Sequence, residues 1–169
     1  LFPQSGTDGA DTNFVSNRRD LHSSPAIQVA GRKAMELAGV SPSDIDHVDL
    51  YSCFPSAVQI AATEMELGID RQLTQTGGLT FAGGPLNNYV THSIATMAGV
   101  LREDAGSVGL CSANGGYITK HAFGLYSTNP PANGFLHQDC QDEIDVVPRV
   151  ELDAEYVGAG TIEAYTVMH

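Results

Sequence analysis

The sequence predicts an α/β layered fold, with helices packed on a mixed β-sheet. Three observations lead there. Helix-period and strand-period segments alternate from Pro25 to Ser127, and helix caps stand where that alternation requires them. The last two strand segments flank Asn114–Gly115–Gly116, a hairpin signal that closes a sheet with an antiparallel pair.

Ser24 suits an N-cap, Pro25 suits the first helical position, and Gly39 is placed to stop the helix. Between them Ile27, Ala30, Ala34, Leu37 and Ala38 form one stripe. Ser41–Pro42–Ser43–Asp44 has capping-box spacing and starts a short turn. His47–Tyr51 reads as a strand, and a second helix is expected from Pro55 to Leu67, ended by Gly68. Thr74–Thr80 is a short strand candidate running into the glycine-rich loop Phe81–Pro85. Val90, Ile94, Met97 and Leu101 fall on one face of a third helix. Ser107–Ser112 and Tyr117–Ser127 are the hairpin strands.

Residues 130–134, Pro-Pro-Ala-Asn-Gly, cannot continue a helix or a ladder. They are read as a linker between a domain over 1–129 and a partial β-rich extension, OB-like by analogy, over 135–169. Strands are expected there at Glu151–Val157 and Thr161–His169. The chain starts without Met and stops in a strand-like run, so it is read as a piece of a longer polypeptide.

Charge narrows the function classes. Twenty acidic residues against eight Lys and Arg give a net charge of -12, which argues against nucleic-acid binding. The acids are uneven: residues 71–136 hold only Glu103 and Asp104, so that stretch is read as interior or site-lining. The acidic tail from Asp139 to Glu163 would repel an anionic acyl-CoA and is read as a solvated face. Three scattered cysteines make no disulfide framework, and no zinc-type spacing is present. No apolar run is long enough to span a bilayer, so a soluble, cytoplasmic setting without membrane contact is expected.

Chemistry-bearing residues gather at a strand-to-helix junction, Tyr51–Ser52–Cys53–Phe54. Free N–H groups at a helix start favour a thiolate, so Cys53 is a candidate reactive thiol; the other reading is a small packing residue. Gly83 and Gly84 allow close approach of another strand or of a bound ligand. On the hairpin only one of Cys111 and Ser112 can face a given cleft, and composition does not settle which. His92 is read as solvated and His121 as structural.

At these residues the chain resembles the C-terminal half of the thiolase superfamily, in particular the sterol-carrier-protein thiolase-like proteins. The resemblance covers about residues 1–128. Asp49–Leu50–Tyr51–Ser52–Cys53–Phe54 is similar to the motif written Asn-Glu-Ala-Phe in ordinary thiolases and His-Asp-Cys-Phe in the sterol-carrier type. Thr76–Gly77–Gly78 with Gly83–Gly84–Pro85 is similar to the Gly-His-Pro segment, and Ser112–Gly116 to the Cys-x-Gly-Gly-Gly hairpin. The resemblance implies a thiolase-like layered fold and an acetyl-CoA acetyltransferase-like enzyme of lipid metabolism, with acyl-CoA and CoA as substrates and no bound cofactor or metal. It implies an N-terminal thiolase half in the same polypeptide, which supplies the nucleophilic cysteine, and it admits a homodimer.

By the same resemblance Cys53, Tyr51 and Ser112 are the catalytic candidates, and Gly83 and Gly84 the ligand-binding ones. Tyr51 stands where the family has Asn or His, Gly84 stands at the Gly-His-Pro histidine, and Ser112 stands at the hairpin cysteine. Losing one oxyanion donor typically costs about 10²–10³ in rate. Weak or altered acyl transfer is therefore expected, with Cys53 as acid/base. A retro-aldolase acting on a β-hydroxyacyl-CoA through Tyr51, and a non-catalytic acyl-CoA-binding protein, are the alternatives.

Overall fold

The computed structural model describes residues 1–163 and 165–168. Along the chain run β1 (Phe2–Ala10), α1 (Pro25–Ala38), β2 (His47–Asp49), α2 (Pro55–Glu64), α3 (Leu79–Ala82), α4 (Tyr89–Glu103), β3 (Val108–Gly115), β4 (Lys120–Ser127), β5 (Leu136–Asp139) and α5 (Gln141–Asp145). The five strands make one mixed sheet in the order β2-β3-β4-β1-β5. β3 and β1 pair antiparallel with β4, whereas β2 joins β3 and β5 joins β1 in parallel.

Helices cover both faces. The larger core lies under α1 and α2 and includes Ile27, Ala30, Val48, Leu50, Leu110, Phe123, Leu125 and Ile144. A smaller cluster under α4 holds Met97, Leu101 and Cys111, with Ile94 and Tyr126 against it. α4 lies so close to β3 that a Cβ on Gly109 would run into Met97. Period-2 alternation therefore assigns Leu110 and Ser112 to the first face and Cys111 to the second.

α1 forms as its signals predict. Ser24 Oγ accepts the N–H of Ile27, Pro25 opens the helix, and Gly39 stops it at φ 69°. The Ser41–Asp44 capping box is present in a 3₁₀ turn. α2 ends at Glu64, three residues before the expected Leu67. Glu66 adopts φ 57°, and the N–H groups of Glu66 and Leu67 return to the carbonyls of Thr63 and Ala62. That is a Schellman stop, so Glu66 takes the left-handed position expected further on at Gly68.

Thr74–Thr80 is not a strand. Its first residues are drawn to the buried Asp49 carboxylate, whose Oδ1 accepts the N–H groups of Gln75 at 2.7 Å and Thr76 at 3.2 Å and the Thr74 hydroxyl at 2.8 Å. Its last residues belong to α3. In α4 the fully buried row is Tyr89, Ser93, Met97 and Leu101, with Val90 and Ile94 only half-buried. The helix is turned so that the Tyr89 phenol reaches Asp49 Oδ2 at 3.0 Å.

β4 begins at Lys120 rather than Tyr117, because Gly116–Thr119 make the hairpin turn with Ile118 at φ 53°. β1 is an addition that the alternation did not signal. Its inward residues are Ser5 and Thr7, whose hydroxyls donate to the α1 carbonyls of Ala34 and Ala30 at 2.6 and 2.7 Å.

The segment after Gly134 returns to the same sheet. β5 pairs with β1 along Ser5–Asp8, and Cys140 and Ile144 enter the larger core. The strands expected at Glu151–Val157 and Thr161–His169 are absent among the described residues, with Ala164 and His169 outside them. Their alternating side chains are exposed and meet no partner edge, so a pattern suited to a strand has no ladder to join.

Candidate active site

The strand-to-helix corner after β2 is held from three directions. The Tyr51 N–H donates to Ser112 Oγ on β3 at 2.9 Å. Ser52 Oγ accepts the N–H of Leu79, the first residue of α3, at 3.0 Å. Asn114 Nδ2 on β3 lies 3.3 Å from Cys53 Sγ. Gly78 completes this corner: it sits at φ 78°, and a Cβ there would stand 2.6 Å from Ser52 Oγ.

Tyr51 is braced by Tyr89, with ring centroids 5.1 Å apart and planes at 84°. Tyr89 is itself fixed through Asp49 and Thr76, and burial pushes its phenol up to about 12. Burial also raises Tyr51, and a negative charge on Cys53 would add to that rise, so the two side chains are electrically coupled.

An open groove of about 530 Å³ crosses this end of the sheet. Tyr51, Asn114 and Gly115 line it from the corner and hairpin, Leu86 and Asn87 from the turn before α4, and Asp8, Lys120, His121 and Asp139 from β1, β4 and β5. The corner, the chain just past the Gly83–Gly84–Pro85 bend and the hairpin thus meet on one cavity. Gly83 and Gly84 are exposed, nothing lies within 4 Å of a Cβ on either, and the groove wall is made by Leu86 and Asn87 instead.

Hairpin parity is resolved by the fold. Ser112 faces the corner but is buried, with its oxygen engaged by Tyr51, and it lies behind the groove rather than in its wall. Cys111 points to α4, where burial pushes its thiol up to about 12. His92 is exposed, as its place on α4 predicts.

Two residues gain importance that the sequence did not give them. Asn114 read as turn chemistry and His121 as structural, yet both line the groove, and Asn114 touches the cysteine. Strand parity was the available signal: Ser112 and Asn114 share a face, and His121 lies opposite Asn114 across the hairpin. No group of His, Cys, Asp and Glu among the described residues is arranged to hold a metal ion.

The sheet, corner and hairpin are similar to the C-terminal part of thiolase-like proteins. Residues 7–72 match the family model described as "Thiolase C-terminal domain-like". The fold is similar to that of a monomeric SCP2-thiolase-like protein type 1 from Mycobacterium smegmatis, with a TM-score of 0.79 and 34% identity over 89% of this chain and 34% of that one. Human mitochondrial 3-ketoacyl-CoA thiolase in complex with CoA shares the fold at a TM-score of 0.57 and 22% identity, over 73% of this chain and 29% of that one. Acetyl-CoA acetyltransferase 1 of Arabidopsis thaliana is 33% identical over 94 residues, which are 54% of this chain and 22% of that protein. The resemblance to the C-terminal half of the thiolase superfamily, sterol-carrier type included, therefore holds. The chain spans about a third of the mycobacterial relative and less of the plant one.

Proposed function

We propose that the polypeptide carrying this chain is a thiolase-like acyltransferase that acts on acyl-CoA, by Claisen condensation or thiolysis, with altered machinery. The observation that carries this reading is the convergence of Tyr51, Asn114 and the turn after the double-glycine bend on one groove, with Asn114 donating to Cys53. Cys53 is the acid/base: in condensation its thiolate takes the α-proton of an acyl-CoA, whose enolate attacks the carbonyl of a second acyl group held as a thioester on a cysteine of the N-terminal half and expels that cysteine as thiolate. In thiolysis the Cys53 thiol protonates the enolate that leaves. The Asn114 amide donates an N–H to the Cys53 sulfur at 3.3 Å. Ser112 acts by fixing Tyr51 rather than by moving a proton. Gly84 offers no imidazole, so one oxyanion donor of ordinary thiolases is missing and slow turnover follows.

Tyr51 supports a second reading, a retro-aldolase. Its ring lines the groove, and its raised pKa keeps the phenol protonated at neutral pH, ready to donate a hydrogen bond or a proton. Product analysis with the full-length protein decides between the two. With a 3-ketoacyl-CoA and free CoA, thiolysis is expected, and Cys53→Ala should reduce it by at least about tenfold. Cleavage of a β-hydroxyacyl-CoA without free CoA would favour the aldolase. Absence of turnover on both, or thiolysis unchanged in Cys53→Ala, would overturn the acyltransferase assignment.

A further inference from the structure

Beside the groove lies a second, smaller pocket of about 10 Å³, bounded in part by Tyr51, Ser112, Asn114, Ile118, His121 and Phe123. Asn114 and His121 are opposite each other in the β3–β4 ladder. Two polar atoms of this wall, Asn114 Oδ1 and His121 Nε2, are buried and make no hydrogen bond within the protein. His121 as a whole is only 5% exposed. Unpaired polar atoms at such depth are costly, and proteins normally satisfy them with ordered water.

The bonding capacities around the pocket match those of a single water. His121 Nε2 makes no hydrogen bond within the protein and is an acceptor in the tautomer that carries the ring hydrogen on Nδ1. Asn114 Oδ1 is a second acceptor, because Nδ2 of the same amide is turned to Cys53 Sγ. Ser112 Oγ already accepts the Tyr51 N–H, so its own hydrogen is left to donate. Two acceptors and one donor make the three hydrogen bonds typical of a buried water, and the volume suits one molecule.

We propose that one buried water, held by His121 Nε2, Asn114 Oδ1 and Ser112 Oγ, locks the Asn114 amide with its NH₂ toward Cys53, so that His121 is a positioning residue for that thiol. The amide has two orientations of similar shape. Turned the other way, it would present its oxygen to the sulfur and take the hydrogen-bond donor away from it. It would also donate to the water, which would then keep one buried hydrogen without an acceptor, so the water favours the productive orientation. This deepens the assignment of Cys53 as the working thiol and rests on it, but the contact itself exists independently of any turnover.

Alkylation of Cys53 by iodoacetamide near neutral pH, followed in the full-length protein by the mass of the peptide that carries it, tests the relay without an acyl substrate. His121→Phe removes the acceptor and is expected to slow alkylation about three- to tenfold. His121→Gln, which keeps an acceptor at that reach, should stay within about twofold of the unsubstituted protein. A folded His121→Phe protein with an unchanged rate overturns the proposal. Should that variant not fold, a crystal structure of the unsubstituted protein decides: density for one water between His121 and Asn114 is expected, and a pocket without it overturns the relay. Unchanged acyl transfer in Cys53→Ala would sink the acid/base role of Cys53 and leave these two results standing.

Discussion

His121 shows how one buried side chain couples the fold to pH. Burial pulls its pKa down to about 4, with the Asp11 and Arg18 charges acting in opposite directions around it. The unfolded imidazole titrates near 6.5, so as pH falls from about 6.5 to about 4 the unfolded chain binds a proton that the folded one refuses. The preference for the fold is complete above the higher value and is lost, by about 3 kcal/mol, on reaching the lower. Urea unfolding should show the native protein losing about 2 kcal/mol more than His121→Gln between about pH 7 and about pH 4.5. Equal losses would mean that the ring is reached by solvent. At this scale the sequence was partly legible. Tyr51 and Cys53 stood out because a strand end followed by a helix start is a local pattern. Asn114 and His121 did not, since their meaning comes from a contact between Asn114 and Cys53, 61 residues apart in sequence.

Elements were readable where their signals were local and unreadable where distant partners decided. The α1 caps and the Ser41–Asp44 box involve neighbours a few residues apart, and both formed as predicted. β1 was invisible because its buried face is built from Ser5 and Thr7, hydroxyls satisfied by α1, in place of an apolar alternation. The segment from Thr74 was misjudged because a carboxylate competes with the ladder. Asp49 is fully buried, and it organises Thr74, Gln75, Thr76 and Tyr89 into one network under the corner. Asp49→Ala leaves those donors without an acceptor, and a loss of about 3 kcal/mol in unfolding free energy is expected. Denaturant unfolding with an unchanged slope measures it. A loss below about 1 kcal/mol would show that water replaces the carboxylate and that the loop stands without it.

The acidic C-terminal segment divides into two parts with different physical roles, and the division does not fall at the Pro130–Gly134 turn. β5 covers the outer edge of β1, a row of N–H and C=O groups that would otherwise stand exposed. Ile144 on α5 packs so closely over β1 that a Cβ on Gly9 would collide with it, and Cys140 is buried beside it. Residues 151–163 and 165–168 are exposed instead, and their Leu152, Tyr156, Val157 and Ile162 contribute nothing to the core. Turn residues and an abrupt change in charge suggested a boundary at 130–134, because composition reports exposure along the chain and carries no information about which edge a later strand will join. Two truncations separate the roles. Ending the chain after Val150 keeps β5, α5 and the Val150 N–H bond to the Asn17 carbonyl, so the unfolding midpoint should move by less than about 0.5 kcal/mol in equivalent stability. Ending it after Gly134 removes the Ile144 and Cys140 side chains from the core and uncovers the β1 edge, at a cost of about 3 kcal/mol or more. If both truncated chains unfold at the same midpoint as the intact one, the extension is a separate module; a loss confined to the shorter chain makes β5 and α5 integral to the layered fold and to the groove wall that Asp139 and Gln141 supply.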